Sequence, residues 1–496
     1  MGFTHRVWRI VAIVAFSLCA TSAWAQQTYL VSSTANSGPG SLLAAVQSLQ
    51  SNGQRQTINV NLPTGSVITL AGDLPQLVGT EVWILGQTPG IVIDGNGFRI
   101  FRYVGQSMVL SNMTLRNGRS TGAGCLGSNA TVLTLVFDVA FENCRTDGTG
   151  ASGSSGGALF AFGPLQLTRT RFVGNSAYDS GISNLGMGGG AVAFSGNSLQ
   201  VDNTTFTDNY TVRTPGVGGG CADAVGAALA MDMPTGGSAS FIYTSFTGNS
   251  HRCGSPTGTI SGQGGAISIF GPGSGAAPNV GIDSSFFGGN RADNGAGIFA
   301  RAISLTLNNT SFHDNVGRGA GAVFLTTGFG TPPTPELRLI SSTFWRNGTS
   351  LGGFGADLTL NASALVRQFR NVLFAPPAAG PSCSPASFNA DAGDAIFTTD
   401  ITCFAFVGGN PVTAQFATGN TFGLQAPAIN GGRVPTMDLS PGSVAIDNGT
   451  NTSCPSLDAR GFARPFDGDG GGISTCDVGA LEYRPQLLLR DGFEGP

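Results

Sequence analysis

The stretch LQVDNTTFTDN, residues 199–209, contains the pattern that decides the fold. Two apolar residues flank a polar one, and a phenylalanine and an asparagine follow at fixed spacing, in the order apolar-x-apolar-x-x-x-x-Phe-x-x-Asn. Six copies occur along the chain, at Leu165, Leu167, Phe172 and Asn175; Leu199, Val201, Phe206 and Asn209; Ala239, Phe241, Phe246 and Asn249; Val280, Ile282, Phe287 and Asn290; Leu305, Leu307, Phe312 and Asn315; and Leu337, Leu339, Phe344 and Asn347. Alternation with a period of two predicts β-strands, and regular repetition predicts a solenoid.

A glycine-rich element precedes most copies and adds a further short strand to each repeat. It reads Gly-Gly-Ala at 156–158, 189–191 and 264–266. From Gly156 to Asn175 the unit has 20 residues, which is too short for a propeller blade or a strand–helix crossover. The sequence therefore predicts an all-β fold, a right-handed parallel β-helix with a short N-terminal capping helix, whose coils stack about 4.8 Å apart.

In such a coil each residue type of the repeat has a physical role. The recurring phenylalanines are predicted to stack inside the tube. The asparagines are predicted to form a ladder at a bend, because their amides bond to one another and they tolerate unusual backbone angles. The length of the repeat varies mainly between each asparagine and the next glycine pair, as at 176–187, 210–225 and 250–263. We therefore expect one loop-bearing edge.

The chain divides into five predicted segments. Residues 1–25 have the positive start, apolar run and Ala-Trp-Ala cleavage site of a secretory signal peptide. Residues 26–55 form an N-terminal cap, in which Ser41 begins an amphipathic helix that carries Leu42, Leu43, Val46 and Leu49 on one face and covers a first coil beginning near Thr57. Residues 56–369 contain the β-helix repeats, 370–483 form a C-terminal region, and 484–496 form a tail.

Composition narrows the classes of partner. The formal charge is −4, and all 24 basic residues are arginine, so a nucleic acid partner is not expected and lysine-dependent chemistry is excluded. After removal of the signal peptide no apolar run is long enough to span a membrane. Export also places the chain in an oxidising compartment, extracellular or at the cell surface. The oligomeric state stays open.

Eight cysteines remain in the exported chain and are predicted to form structural disulfides. They occur as neighbours in sequence and lack the C-x-x-C spacing of zinc or redox sites. In stacked coils such neighbours come within the 4.4–6.8 Å Cα separation that a disulfide requires. The predicted pairs are Cys125 and Cys144, Cys221 and Cys253, Cys383 and Cys403, and Cys454 and Cys476.

The motifs resemble those of bacterial extracellular β-helix proteins. Phe-x-x-Asn at 246–249 with Gly-Gly-Ala-Ile at 264–267 resembles the polymorphic outer membrane protein repeat. Residues 370–483 resemble a choice-of-anchor Q domain, on the motifs Asn430-Gly-Gly, Ala445-Ile-Asp447, Asp458-Ala-Arg460-Gly, Arg464-Pro465, and Cys476-Asp477-Val-Gly-Ala with Glu482. The resemblance implies an exported surface or secreted protein, usually defined by architecture rather than by activity. The tail 484–496 lacks the sorting motif, apolar anchor or terminal barrel that often follows such domains.

No catalytic residue, cofactor or metal site is assigned from the sequence. Asp208 and Asp314 hold equivalent positions but lie three repeats apart, about 14 Å, which is beyond the reach of a paired-carboxylate glycosidase. We interpret both as turn residues. His251 and His313, the two histidines after the signal, have no evident nucleophile partner, and we interpret both as surface residues.

Two further groups of residues are candidates for binding. Asp467, Asp469 and Asp477 surround glycines and offer oxygen ligands for calcium, but the full calcium-loop frame is absent, so a glycine turn is the preferred interpretation. Tyr178, Tyr210, Arg213 and Arg252 lie on the loop-bearing edge, where aromatic and guanidinium groups suit a surface glycan or a protein partner.

Three functions remain open at this point. The preferred one is an exported, adhesin-like scaffold that binds a glycan or a protein. The first alternative is a polysaccharide lyase or glycoside hydrolase of the pectate-lyase-like superfamily, for which the lysine and the Gly-His-Gly element of hydrolases are missing. The second alternative is a purely structural cell-surface or matrix component.

Overall fold

The computed structural model describes residues 26–485, apart from 149–153, 180–186, 214–224, 255–258, 261, 329, 352, 361–362, 386, 408–409, 412–413 and 417–421. The predicted signal peptide at 1–25 and the distal tail at 486–496 lie outside the described residues. Within the described part, strands pair in parallel from coil to coil in one 30-stranded sheet, with a second nine-stranded sheet beside it. The predicted parallel β-helix is confirmed.

Each central coil contains four short strand segments, which define four series along the solenoid. The first series is Leu159–Phe162, Val192–Ser195, Leu229–Asp232, Ile267–Phe270, Ile298–Arg301, Val323–Thr326, Leu358–Leu360 and Cys383–Ser384. The second is Leu165–Thr168, Ser198–Asp202, Ser238–Ile242, Asn279–Asp283, Ser304–Asn308 and Glu336–Ile340. The third is Arg171–Val173, Thr205–Thr207, Ser245–Thr247, Phe286–Gly288, Ser311–His313 and Thr343–Trp345. The fourth is Arg119–Ser120, Arg145–Gly148, Ser176–Asp179, Tyr210–Arg213, Ser250–Cys253, Arg291–Ala292, Val316–Gly317 and Gly348–Thr349.

The coils at both ends are built from longer or fewer strands. The N-terminal coils use Gln27–Val31, Arg55–Val60, Val67–Thr69, Glu81–Gly86 and Val92–Asp94, followed by the long strands Phe101–Arg116 and Leu126–Glu142, which each span several series. At the C-terminal end the main sheet continues through Leu365–Phe374, Gly393–Thr398 and Ala414–Phe416. Smaller strands complete the chain at Ser154–Gly156, Met187–Gly189, Thr259–Ile260, Ser387–Asn389, Phe404–Val407 and Asn410–Pro411.

The predicted phenylalanine stack fills the tube. Each ring of the series Phe141, Phe172, Phe206, Phe246, Phe287, Phe312, Phe344 and Phe374 lies nearly parallel to the next, with centroids 4.6–5.0 Å apart. All these side chains are fully buried. The ring spacing equals the strand spacing of a parallel sheet, so one aromatic position per coil is enough to keep the stack in register.

The predicted asparagine ladder is also present. Each amide of Asn175, Asn209, Asn249, Asn290 and Asn315 donates through Nδ2 to the Oδ1 of the next asparagine at 2.9–3.0 Å. The same Oδ1 accepts the backbone N–H of the preceding asparagine at 3.0–3.2 Å. These polar side chains are therefore satisfied although they are wholly buried.

Single residues with left-handed backbone angles form the corners. Between the third and fourth series the position before each ladder asparagine has φ between 52° and 70°, and it is occupied by Gly174, Asp208, Gly248, Gly289, Asp314 and Arg346. Asp208 and Asp314 thus stand where other coils have glycine, as expected of turn residues.

Loops leave the solenoid at a second corner as well, which corrects the expectation of one loop-bearing edge. Between the first and second series, two residues separate Phe162 from Leu165, whereas eight separate Phe270 from Asn279. The sequence pattern did not indicate this variation in loop length, because the glycine-rich element marks the start of the first strand and not its end.

The helix Leu42–Gln47 forms the predicted N-terminal cap. Ser41 accepts the N–H of Ala44 through its hydroxyl, and Leu42 and Val46 are buried against the first strands. The strand Gln27–Val31, within the predicted cap, already pairs in parallel with Arg55–Val60. The first coil therefore begins before the helix rather than near Thr57. None of the described helices combines the length and the hydropathy needed to cross a bilayer.

Three of the predicted cysteine pairs are disulfides in the structure. Cα atoms are 5.8 Å apart in Cys125–Cys144, 5.0 Å in Cys383–Cys403 and 6.2 Å in Cys454–Cys476. Cys253 is also disulfide-bonded. Cys221 lies outside the described residues, so its pairing with Cys253 stays a prediction.

Candidate functional site

The C-terminal motif residues lie inside the protein and bind neighbouring backbone. Arg460 forms an ion pair with Asp458, and Arg464 forms one with Glu482 at 2.7 Å, and all four side chains are almost inaccessible to solvent. Arg464 also donates to the carbonyls of Asp477 and Gly479. These residues have a structural role in holding the loops of 422–485 together.

The same network attaches this segment to the solenoid. Arg464 donates to the side chain of Asn309 at 3.2 Å, and Asn309 donates to the carbonyl of Leu457 at 2.9 Å. Farther along, the N–H of Ala480 donates to the hydroxyl of Thr343 at 2.9 Å. The segment therefore lies along the corner between the second and third series.

Only two of the three aspartates considered as calcium ligands come together. Asp467 and Asp469 come together with Asp447, and their oxygens lie within 4.8 Å of one another. Backbone N–H groups already occupy these carboxylates, since Asp447 accepts from Gly468 and Asp469, each at 2.8 Å. This pattern describes a glycine-rich turn. It is the one cluster of three or more acidic, histidine or cysteine side chains with metal-ligand geometry in the described part of the chain.

Asp477, the third aspartate considered, is not in this group. It is fully buried and accepts the backbone N–H groups of Asp447 and Tyr483. Burial, and then the neighbouring Glu482 carboxylate, raise the pKa of Asp477 to about 8. Sequence proximity placed Asp477 in the cluster, but the chain turns away after Gly472, and Asp447 takes the place instead.

The interpretation of His251 as a surface residue is wrong. Its ring is completely buried on the strand Ser250–Cys253, between the hydroxyl of Thr211 and the carbonyl of Gln263, which lies 2.8 Å from Nε2. Burial lowers the pKa of His251 to about 4, so the ring is neutral at pH 7. The fourth series was not recognised as a strand in the sequence, and its inward positions were therefore missed.

His313 is partly covered at the surface. Its ring packs edge-on against Trp345 at 5.1 Å between centroids and lies 3.3 Å from the carboxylate of Asp314. Burial lowers the pKa of His313, an effect that Asp314 opposes. Asp314 in turn forms an ion pair with Arg346 at 2.9 Å, so His313 lies beside a surface ion pair rather than beside a nucleophile.

The predicted tyrosines and arginines come together on the fourth strand series. In the register of the strands, Arg145, Ser176, Tyr210, Ser250 and Arg291 follow one another in one column. Asp147, Tyr178, Val212 and Arg252 form the parallel column. Large side chains thus alternate with small ones across about 20 Å, the length of four strand spacings. We call the outward side of these residues, with Arg119, the Tyr–Arg face.

Stacking between rings and guanidinium groups orders the Tyr–Arg face. The Arg145 guanidinium lies 3.5 Å from the ring centroid of Tyr178, and that of Arg252 lies 5.1 Å from the ring of Tyr210. The two tyrosine rings meet edge-on at 6.3 Å. Such contacts hold the side chains in place in the absence of a ligand, which reduces the entropy lost on binding.

The Tyr–Arg face is positively charged, although Arg252 already donates through Nε to the hydroxyl of Ser250 at 3.0 Å. Arg119 and Arg145 share the carboxylate of Asp147, while no carboxylate among the described residues pairs with Arg252 or Arg291. Burial, and then the hydrogen bond to Tyr210, raise the pKa of Tyr178 to about 12, so its hydroxyl remains protonated. The arrangement suits binding of a polar chain with anionic groups.

Four charged members of the Tyr–Arg face, Arg119, Arg145, Asp147 and Arg291, were missed in the sequence. Arg145 and Asp147 follow Phe141 by the same four and six residues that separate Ser176 and Tyr178 from Phe172. This spacing was a usable signal, but the coil of Phe141 departs from the repeat pattern. Arg119 comes from a still more degenerate coil. Arg213, which was predicted, lies at the end of the strand Tyr210–Arg213.

Fold and site together define a parallel β-helix protein with an ordered Tyr–Arg face. Among solved structures the chain is similar to one titled "Crystal structure of pectate lyase Pel9A", with a TM-score of 0.37 and 12% identity over 93% of this chain and 97% of that chain. A similarity of this size does not establish a relationship in fold or function. The fold is assigned from the pairing of the strands. No family model matches the chain. No curated protein matches it either.

Proposed function

We propose that this chain is an exported β-helical scaffold, adhesin-like, that binds an acidic glycan on its Tyr–Arg face. The observation that supports the proposal is the strand register, which places two tyrosines and four arginines on the outward side of one sheet. Among the described residues, Asp147 is the carboxylate that pairs with these arginines. Aromatic rings offer sugar-stacking surfaces, and guanidinium groups bind carboxylates through two donors at once.

The proposed location follows from the sequence features. Residues 1–25 read as a signal peptide, and the repeats and the C-terminal motifs resemble surface β-helix proteins with polymorphic outer membrane protein repeats and a choice-of-anchor Q domain. A secreted or surface position would give the face access to matrix or cell-wall polysaccharides. The disulfides Cys125–Cys144, Cys383–Cys403 and Cys454–Cys476 suit that environment.

Binding to polygalacturonate, with dextran as a neutral comparison, tests the proposal by titration calorimetry. We expect Tyr210→Ala and Arg252→Gln each to weaken binding roughly tenfold, the effect of losing about 1–2 kcal/mol at a central contact. Phe162→Ala is the matched aromatic control, because Phe162 is 57% exposed on the first series, away from the face. It should leave binding unchanged.

Three results would contradict the proposed binding function. If an acidic glycan array shows no binding, or if the Tyr210 and Arg252 variants bind like the unaltered protein, the Tyr–Arg face is not the site. Release of unsaturated or reducing ends from polygalacturonate would instead identify an enzyme. The assay should therefore record turnover alongside affinity.

A further inference from the structure

The asparagine ladder needs a terminal acceptor, and the repeat does not supply one. Phe344 pairs with Phe374 in the next coil. Asn347 follows Phe344 by three residues, and the residue at the equivalent position after Phe374 is Pro377. Proline has no side-chain amide, so the Nδ2 group of Asn347 would be left with a single partner, the carbonyl of Phe312.

Asp357 closes the ladder from a neighbouring strand. Its Oδ1 accepts the Nδ2 of Asn347 at 2.9 Å. Asp357 precedes Leu358, which pairs with Val323, so it stands where the previous coil has Ala322. A carboxyl group therefore occupies an interior position where the previous coil has only a methyl group, and it is fully buried.

Burial disfavours a negative charge on Asp357 more than the neutral donors of Asn347 and Ser382 favour it. Its Oδ2 has no hydrogen-bond partner of good geometry among the described residues, and neither has the adjacent hydroxyl of Ser382. The charged group that acts on it is another carboxylate, Asp400, which accepts the N–H of Ser382 at 2.7 Å. No arginine or histidine of the described residues forms an ion pair with Asp357.

We propose that Asp357 makes the C-terminal end of the ladder responsive to pH. As the neutral acid it closes the ladder and holds the end coils, by which we mean Gly348–Thr349, Leu358–Leu360 and Cys383–Ser384. As the ionised carboxylate it is a buried charge without a cationic partner among the described residues, and it loosens these coils. The device is independent of the Tyr–Arg face and of the proposed glycan.

The direction of the effect follows from proton binding. Burial, the largest cause, raises the pKa of Asp357 to about 7, above the value near 3.9 of an unfolded aspartate. Between these values the closed end binds the proton more tightly than the open end. Its stability is therefore complete below about pH 4, falls as the pH rises toward 7, and is constant above that.

Native-state hydrogen exchange of the end coils tests the device. At each pH the unaltered protein is compared with Asp357→Asn, so that the intrinsic exchange chemistry cancels. We expect the ratio of their opening constants to rise by up to tenfold per pH unit between about pH 4 and 7, reaching roughly a hundredfold or more at pH 8. A ratio that stays constant with pH would overturn the proposal.

Two further variants keep the test decisive. Asp391→Asn removes an exposed carboxylate that pairs with Arg367 nearby, and it should follow the unaltered protein at every pH. Asp357→Ala also removes the charge but leaves Asn347 without its acceptor. It should have a flat pH profile at lower stability, and retention of the pH dependence in this variant would contradict the assignment to Asp357.

Discussion

Replacing Asn249 with alanine should lower the free energy of unfolding by about 4 kcal/mol or more. The Oδ1 of Asn249 accepts the backbone N–H and the side-chain Nδ2–H of Asn209. The Nδ2 of Asn249 donates to the carbonyl of Phe206 and to the Oδ1 of Asn290. Truncation leaves several wholly buried polar groups without a partner, and each such group costs about 1–3 kcal/mol. Urea unfolding followed by circular dichroism measures the change.

Two variants separate hydrogen bonding from packing in this prediction. Asn249→Asp keeps the volume and the acceptor but removes the donors and adds a buried charge, so it should be at least as destabilising as alanine. Asn279→Ala removes an exposed asparagine from the start of a second-series strand and should change stability by less than about 0.5 kcal/mol. Equal effects of the Asn249 and Asn279 alanine variants would show that the ladder contributes nothing.

Replacing Phe206 with alanine should have an effect of similar size through the apolar core. Its ring lies between Phe172 and Phe246, with centroids 4.8 and 4.6 Å away, and it is fully buried. Truncation of a buried phenylalanine costs about 3–5 kcal/mol, because the coil backbone cannot collapse into the space that the ring leaves. The same urea experiment measures this loss.

Phe162→Ala is the control for the stack, since this ring is 57% exposed on an outward position of the first series. We expect a loss of less than about 0.5 kcal/mol there. Phe206→Leu should fall between the two, because leucine fills part of the space. A stable Phe206→Ala protein with an unchanged unfolding midpoint would mean that the rings do not form a continuous core.

The parts of the fold that repeat could be predicted because one side chain per coil must match its neighbours. Phe172, Phe206 and Phe246 stack, and Asn209 and Asn249 bond, because parallel strands place equivalent residues about 4.8 Å apart. Each repeat of the sequence pattern therefore corresponds to one coil of the sheet.

The parts that depart from the repeat could not be predicted. Asp357 accepts the hydrogen bond of Asn347 that a further ladder asparagine would otherwise accept, and it does so from a different strand series. Asp447 lies beside Asp467 although it is 20 residues earlier in the chain. His251 is buried because it occupies an inward position of a strand too short to show alternation. Contacts of this kind depend on where turns from separate parts of the chain end. The local sequence around each residue does not indicate those positions.

The site was predicted in part for a similar reason. Tyr178, Tyr210 and Arg252 could be assigned to one edge from their place after the ladder asparagines. Their mutual order could not, because it depends on Arg145 and Asp147 in a degenerate coil. The C-terminal motif around Arg460 and Arg464 gave no indication that both guanidinium groups would be buried.

Hydrogen exchange read by mass spectrometry is the most direct test of the stacked-coil account. Peptides that contain the Phe-x-x-Asn segments ending at Asn175, Asn209, Asn249, Asn290 and Asn315 should be protected together and lose protection as one unit, because each coil bonds to the next. Exchange of these peptides as fast as the exposed turn around Gly470 would contradict it.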